Sequence, residues 1–163
     1  MSKKKTKLKK TLPEQILEKH KIVYESIHFD TYEEGDVTQI NHGDIDEHTI
    51  YKTLALTGNI TGPVIGILPL DEHLSYKKLA HASGNKKVGM IPLKELVATT
   101  GYIHGTNNPV GIWQTKKFPI YFDEEAKKQG EIIVSAGELG RSIKINAENL
   151  AALVQGIFVD LKE

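Results

Sequence analysis

The sequence contains no cysteine. That absence removes a protein thiol nucleophile, any disulfide and any cysteine-ligated zinc site, and it fits a reducing cytoplasm. No apolar run approaches the ~20 residues that cross a bilayer as a helix. The basic stretch MSKKKTKLKK at positions 1–10 has no apolar segment behind it, so it does not read as a secretory signal. A cytoplasmic protein away from the membrane is the expectation. Neither GxGxxG nor GxxxxGK[ST] occurs, which argues against dinucleotide and P-loop chemistry. Internal repeats and heptads are also missing.

Net charge is lacking too, but unevenly. Six of the 21 basic residues are lysines within the first ten positions, which leaves 15 basic against 21 acidic residues in the remainder, a body near −6. A nucleic-acid contact by such a body needs local patches or the tail. Lys77/Lys78, Lys86/Lys87, Lys116/Lys117 and Lys127/Lys128 are the candidate patches; each pair is either a solvated face or a phosphate contact. Residues 1–11 read as a basic disordered tail, either a solubilising arm or a phosphate-binding one.

What is present suffices for a single domain over residues 12–163. A chain of this size buries roughly 70% of its unfolded surface without metal or disulfide. Pro13 to His20 reads as a helix with proline in its first turn. Val23–Phe29 reads as a strand, and the polar run Asp30–Asp46 as an irregular, mobile loop. Tyr51–Thr57 and Pro63–Pro69 are two buried strands joined at Gly58-Asn59. Ser75 caps a helix to Ser83 that Gly84 ends, with Leu74 and Leu79 at hydrophobic-staple spacing. Pro92–Ala98 is a short helix. Phe118–Phe122, Glu131–Ser135 and Ser142–Asn146 are strands. Asn146 caps a last helix, Ala147–Gln155, with Ile145 and Leu150 as its staple and Gly156 as its stop. Helices before, between and after a central group of strands give a mixed α/β or α+β sheet.

Several residues invite a chemical reading. His42, Asp44, Asp46 and His48 alternate in NHGDIDEH, but the spacing matches no ligand pattern, and Asp46 serves equally as the cap of a short helical turn. His73, His81 and His104 are isolated. Lys52 stands at the start of the apolar strand YKTLAL, where it either snorkels to the rim or offers a fixed cation to a developing negative charge or a phosphate. Two glycine-bearing segments, Gly105–Pro109 within TGYIHGTNNPVG and Ser135-Ala136-Gly137 followed by Gly140-Arg141, are either ordinary turns or nests of backbone N–H groups.

Taken in order, YKTL (51–54), PLDEHLSYKKLAHASGNKKV (69–88), TTGYIHGTNNPVG (99–111), FPIYFD (118–123) and IIVSAGELG (132–140) closely resemble the YbaK-type aminoacyl-tRNA deacylases. These are stand-alone relatives of the editing domain inserted in bacterial prolyl-tRNA synthetases. The resemblance implies a mixed, partly barrel-like β-sheet surrounded by helices, and an enzyme that removes cysteine mischarged on tRNA(Pro) and also acts on Cys-tRNA(Cys). It implies catalytic roles for Lys52, Gly105 and Pro109. Substrate-binding roles fall to Phe29, Thr53, Tyr102, Thr106, Asn107, Asn108, Ser135, Gly137 and Ser142. The mechanism proposed for this family has the substrate thiol attack its own ester, a lyase-like route that needs no metal, no cofactor and no protein nucleophile. Partners would be aminoacyl-tRNA and a prolyl-tRNA synthetase. Asn107-Asn108 replace the more usual residues of the family loop, Ala136 stands where a second glycine is common, Ser142 where aspartate is found, and Phe29 where tyrosine is frequent. An alanyl-tRNA deacylase and a non-catalytic module that binds aminoacyl-tRNA or a synthetase are the alternatives.

Overall fold

The computed structural model describes residues 9–163; most of the lysine tail lies outside the described residues. The elements run α1 (Leu12–Lys19), β1 (Tyr24–His28), β2 (Asp30–Glu34), β3 (Val37–Asn41), a 3-10 turn (Glu47–Thr49), β4 (Tyr51–Gly58), β5 (Gly62–Pro69), α2 (Tyr76–Ser83), β6 (Val88–Met90), α3 (Leu93–Thr100), α4 (Pro109–Lys116), β7 (Ile120–Asp123), α5 (Glu125–Gln129), β8 (Glu131–Glu138), β9 (Arg141–Asn146), α6 (Ala147–Val154) and β10 (Ile157–Val159).

The strands form an open α+β assembly of three sheets. Five strands in the order β10-β7-β5-β4-β6 make the largest, three in the order β1-β9-β8 the second, and β2-β3 pair only with each other. The β4/β5 hairpin is antiparallel from Tyr51↔Pro69 to Gly58↔Gly62, while β7 joins β5 and β10 in parallel. A bridge from Ile50 to Ile133 links the two larger sheets. The main core cluster draws on both of them: Ile65, Ile67 and Phe122 from one, Ile132, Val134 and Ile143 from the other, with Leu17 of α1 and Leu150 of α6 as lids. No closed barrel forms among the described strands.

Caps set the helix ends. Thr11 and Glu14 make a reciprocal capping box at α1. Ser75 and Asn146 accept from Lys78 N and Asn149 N, and Gly84 closes α2 with φ +79°. Leu74, Leu79, Ile145 and Leu150 are all buried, as the staple spacing predicts.

Three expectations need correction. Asp30–Asp46 is not an irregular loop: Asp30–Asn41 is a five-pair hairpin turning at Gly35-Asp36, followed by the Asp46-capped turn. The stretch ending TGYIHGTNNPVG is not all turn, because Asn108 and Pro109 start α4. Gly156 does not end α6; Gln155 takes the left-handed conformation at φ 52°. Glycine at 156 answers a different demand, since a Cβ there would lie 2.4 Å from the Phe122 ring.

Candidate active site

A cavity of about 510 Å³ opens between the sheets. Its walls are β3 (Thr38, Gln39, Ile40) with His42, the first half of β4 (Tyr51 to Ala55), the β6–α3 corner (Met90, Ile91, Leu93, Leu96), the turn carrying His104, Gly105 and Asn107, and the β8–β9 end (Ser135, Glu138 to Ser142). The polar residues converge from four separate segments, and most of the remaining lining is aliphatic.

Lys52 lines this cavity from β4, half-buried. Its Nζ donates to the Glu72 carbonyl at 2.5 Å and to the Leu70 carbonyl at 3.4 Å. An ammonium has three donors, so one N–H stays available to an oxygen in the cavity. Burial pulls the Lys52 pKa down, and the charges of Asp71 and Glu72 work against that pull.

Opposite lies the 101–108 turn, wound around one acceptor. The Ile103 carbonyl accepts from Thr106 N at 3.0 Å, Thr106 Oγ1 at 2.9 Å and Asn107 Nδ2 at 3.4 Å. Gly105 takes φ +92°, and a Cβ there would stand 3.1 Å from Leu139 of the β8–β9 end. Asn108 is fully buried; its Oδ1 accepts from Gly111 N at 2.6 Å and its Nδ2 donates to the Thr106 carbonyl at 3.0 Å. One side chain thus fixes both the turn's exit and the first turn of α4. Asn108→Ala leaves both groups unmatched, and the expected loss of stability is about 1–3 kcal/mol. Urea unfolding reads this directly, and an unchanged midpoint would remove the role assigned to Asn108.

On the third side, Ser135 and Ser142 face each other across β8–β9. The Ser135 hydroxyl accepts from Gly137 N at 3.1 Å, within the bulge that shifts register between Ser135 and Glu138. Arg141 reaches back to α1, donating from Nη2 to Glu14 Oε1 at 3.1 Å and to the Lys9 carbonyl at 3.1 Å.

The structure therefore gathers Lys52, Thr53, Gly105, Asn107, Ser135 and Ser142 in one cavity. The other residues singled out from the sequence stand behind its walls. Phe29 is buried with Ile50 and Ile133 and meets the His42 ring edge-on at 4.9 Å, so it backs a residue that lines the cavity. Tyr102 packs between α4 and the bulge: a Cβ on Gly111 would be 1.9 Å from its hydroxyl, and one on Gly137 3.4 Å from its ring. Thr106, Asn108 and Pro109 are buried in the turn and the helix start. His42, His104, Arg141 and the β3 residues were not assigned to the site from the sequence. Gly140-Arg141 stood out beside a glycine turn, but the hairpin wall carried no chemical signal.

NHGDIDEH is not gathered into a metal site. Asp46 caps the 3-10 turn, His42 turns toward Phe29 and Glu47, and His48 points toward Asp71 and Glu125. Among the described residues, the potential ligand atoms that do come together are those of His48, Asp71 and Glu72, within 4.8 Å. Both imidazole nitrogens are engaged there, Nδ1 with Asp71 at 3.0 Å and Nε2 with Glu125 at 3.2 Å, which describes a hydrogen-bonded ion cluster. The lysine pairs are partly structural: Lys78 bonds Asp160 at 2.7 Å, and Lys117 lies 4.7 Å from the centre of a Trp113 ring.

Comparison with known proteins gives this geometry a context. The family profile of the aminoacyl-tRNA editing domain matches residues 31–153. EbsC of Enterococcus faecalis (strain ATCC 700802 / V583) is 42% identical over 164 residues, covering 99% of this chain and 98% of its own length; its name assigns it, provisionally, as a Cys-tRNA(Pro)/Cys-tRNA(Cys) deacylase. Two solved structures share the fold. One, described provisionally as a trans-editing enzyme for prolyl-tRNA synthetase, has a TM-score of 0.66 at 24% identity, over 72% of this chain and 73% of that one. The other, the hypothetical protein APE2540, has a TM-score of 0.77 at 18% identity, over 92% and 98%.

Proposed function

The chain belongs to the aminoacyl-tRNA editing domain family, and from that premise we propose that residues 12–163 deacylate cysteine mischarged on tRNA(Pro), and Cys-tRNA(Cys) as well. The observation that carries this reading is a group of unmatched polar atoms in residues of the cavity wall. Among the described residues, Asn107 Oδ1, Thr53 Oγ1 and Tyr51 Oη are buried without a hydrogen-bond partner, and all three residues line the cavity with Lys52. The orientation of the Asn107 amide is set by its Nδ2–Ile103 bond; turning it over would press one acceptor against another. Leaving such atoms unpaired costs about 1–3 kcal/mol each. An aminoacyl ester supplies what is missing, its amino group donating to Asn107 Oδ1 and its ester oxygens accepting from Thr53.

In this reading Lys52 uses its remaining N–H to hold the phosphate or ribose of the terminal adenosine. Backbone N–H groups near Gly105 face the ester carbonyl, and Ser135 and Ser142 form a further wall, with Gly137 behind it. The substrate thiol attacks its own carbonyl carbon. A C–S bond forms, the ester C–O bond breaks, and the thiol proton passes to the departing ribose oxygen. Water then opens the thiolactone to free cysteine. The protein contributes position and charge stabilisation. The acidic body favours delivery of the tRNA by a synthetase, prolyl-tRNA synthetase in this proposal, in the cytoplasm.

A deacylation panel over Cys-, Ala-, Ser- and Pro-charged tRNA tests the reading. The expected result is release of cysteine with a trappable thiolactone, and serine left on its tRNA. Efficient serine release would mean that the enzyme supplies the nucleophile. Preference for alanine would reassign the substrate, and binding without turnover would make the protein a carrier.

A further inference from the structure

We propose that His48 is a positioning residue: its imidazole clasps Asp71 and Glu125 and so fixes the two main-chain carbonyls that hold the Lys52 ammonium. The proposal rests on the functional role given above to Lys52.

Among the described residues, Lys52 has no carboxylate partner within hydrogen-bond distance. Its Nζ is held by the carbonyls of Leu70 and Glu72, at 3.4 and 2.5 Å. Those carbonyls flank Asp71 in the segment between β5 and α2, which has no regular structure of its own. Where the ammonium points is therefore decided by what pins this segment. At one end Leu70 N donates to the Ile50 carbonyl at 2.7 Å. Further along, Glu72 N donates to the Pro69 carbonyl at 3.0 Å, and the side-chain pin is His48: Nδ1 meets Asp71 Oδ1 at 3.0 Å and Oδ2 at 3.3 Å, with Glu72 Oε2 at 4.0 Å. Nε2 meets Glu125 Oε2 at 3.2 Å, which ties the clasp to α5.

His48 is itself immobilised. Its carbonyl accepts from Gln129 Nε2 at 3.1 Å, and the 3-10 turn that carries it is capped by Asp46. With a carboxylate on each ring nitrogen, both nitrogens act as donors, which requires the imidazolium. Hydrogen bonds to Asp71 and then Glu125 raise the His48 pKa accordingly. The charged groups around the clasp are Asp71, Glu72 and Glu125, with Lys52 beside the first two and Lys162 3.6 Å from both Glu125 and Asp123. Because the folded-state pKa of His48 is raised and that of Glu125 lowered, the clasp is complete between the two and opens as pH rises through the first or falls through the second.

The test compares wild type with His48→Ala, and with Asp71→Asn and Glu125→Gln, which keep size and hydrogen bonding but lose charge. Two readouts are taken. One is the hydrogen-exchange protection of the Lys52 ammonium in 15N-resolved spectra, assigned by its loss in Lys52→Met. The other is kcat and KM for Cys-tRNA. In His48→Ala the Lys52 ammonium signal broadens away, and kcat falls roughly 10- to 100-fold, as a misplacement near 1 Å gives. If His48→Ala fails to fold, the two isosteric variants carry the test with smaller losses of the same kind. A protected Lys52 ammonium and unchanged kcat in a folded His48→Ala, or in both isosteric variants, would overturn the proposal. Loss of protection with no change in kcat would instead overturn the role of Lys52 on which it rests.

Discussion

Lys52→Ala is expected to slow cysteine release from Cys-tRNA on the order of 100-fold, the cost of losing the cation that holds the terminal adenosine and so places the ester. Lys52 is half-buried at the rim of the β4–β5 hairpin, and its Cα pairs with Leu68. The strand ladder runs through backbone atoms, so the variant is expected to fold. The two carbonyls it abandons belong to Leu70, which lines the cavity, and to Glu72, and water from the cavity can take the ammonium's place. Lys52→Arg is not expected to rescue the rate. A planar guanidinium cannot point three donors along the ammonium's directions, two toward carbonyls and one into the cavity. Single-turnover deacylation at saturating enzyme separates the chemical step from tRNA binding. Turnover at the wild-type rate in Lys52→Ala would end the catalytic assignment, while slowed turnover together with a lowered melting temperature would point to a structural role.

The second large effect is on stability, and it falls on Glu14. This carboxylate is 1% exposed, yet it sits in the first turn of α1. It accepts from Thr11 N at 2.9 Å and from Arg141 Nη2 at 3.1 Å, and the Ser26 hydroxyl donates to its other oxygen. It therefore ties α1 to β1 and β9. Its removal leaves the guanidinium of Arg141, 12% exposed, without its buried partner. Breaking a buried pair from one side costs about 3–5 kcal/mol, against a typical total near 5–15 kcal/mol. Glu14→Ala should thus unfold at much lower denaturant, and because Arg141 lines the cavity, activity should fall at temperatures where the variant is still folded. Glu14→Gln keeps the shape and one acceptor, and should lose less. Lys10–Glu18, between the residue before the α1 cap and the end of α1, is the internal contrast: both partners are exposed, so breaking it should leave the midpoint where it is. Equal midpoints for Glu14→Ala and wild type would refute the buried-tie account.

Much of this architecture was legible where one residue type has one physical use. Ser75 and Asn146 before apolar runs are caps, and Leu74/Leu79 and Ile145/Leu150 are staples, because a helix start needs those groups at those offsets. The apolar strands Tyr51–Thr57 and Pro63–Pro69 were legible for the same reason, the second buried along most of its length and the first at Tyr51, Ala55 and Leu56. The β2–β3 hairpin escaped because DTYEE is exposed along its whole length and VTQIN is part-buried in one continuous run, Thr38 to Ile40, where it lines the cavity, so burial imposed no alternation on them. Gly35-Asp36 was the one signal, a dipeptide favoured in two-residue hairpin turns. Helix α4 escaped differently. Pro109, Val110, Gly111 and Ile112 are all buried, so it has no apolar stripe to read, and Asn108-Pro109 serves a turn as readily as a helix start.

For the site, the resemblance led to Lys52, Gly105, Asn107, Ser135 and Ser142, which do share a cavity. Local sequence carries no trace of the distance-spanning ties, Glu14 to Arg141 and His48 to Glu125, since each joins residues far apart in the chain. Nor could it distinguish side chains at the cavity surface from those one layer behind, such as Phe29 and Asn108. Backbone placement decides that, and residue type alone does not.

The parallel strand at the edge of the main sheet has a consequence for how the chain comes off the ribosome. β10 pairs with β7, and Leu161 just beyond it is fully buried with Leu74 and Leu79, while its carbonyl accepts from Ser75 N at the cap of α2. Synthesis proceeds from the N-terminus, so α2 is made long before the leucine that seals it. Until Leu161 emerges, the second core cluster has one side open, and the nascent chain carries an unsealed apolar surface through much of its own translation.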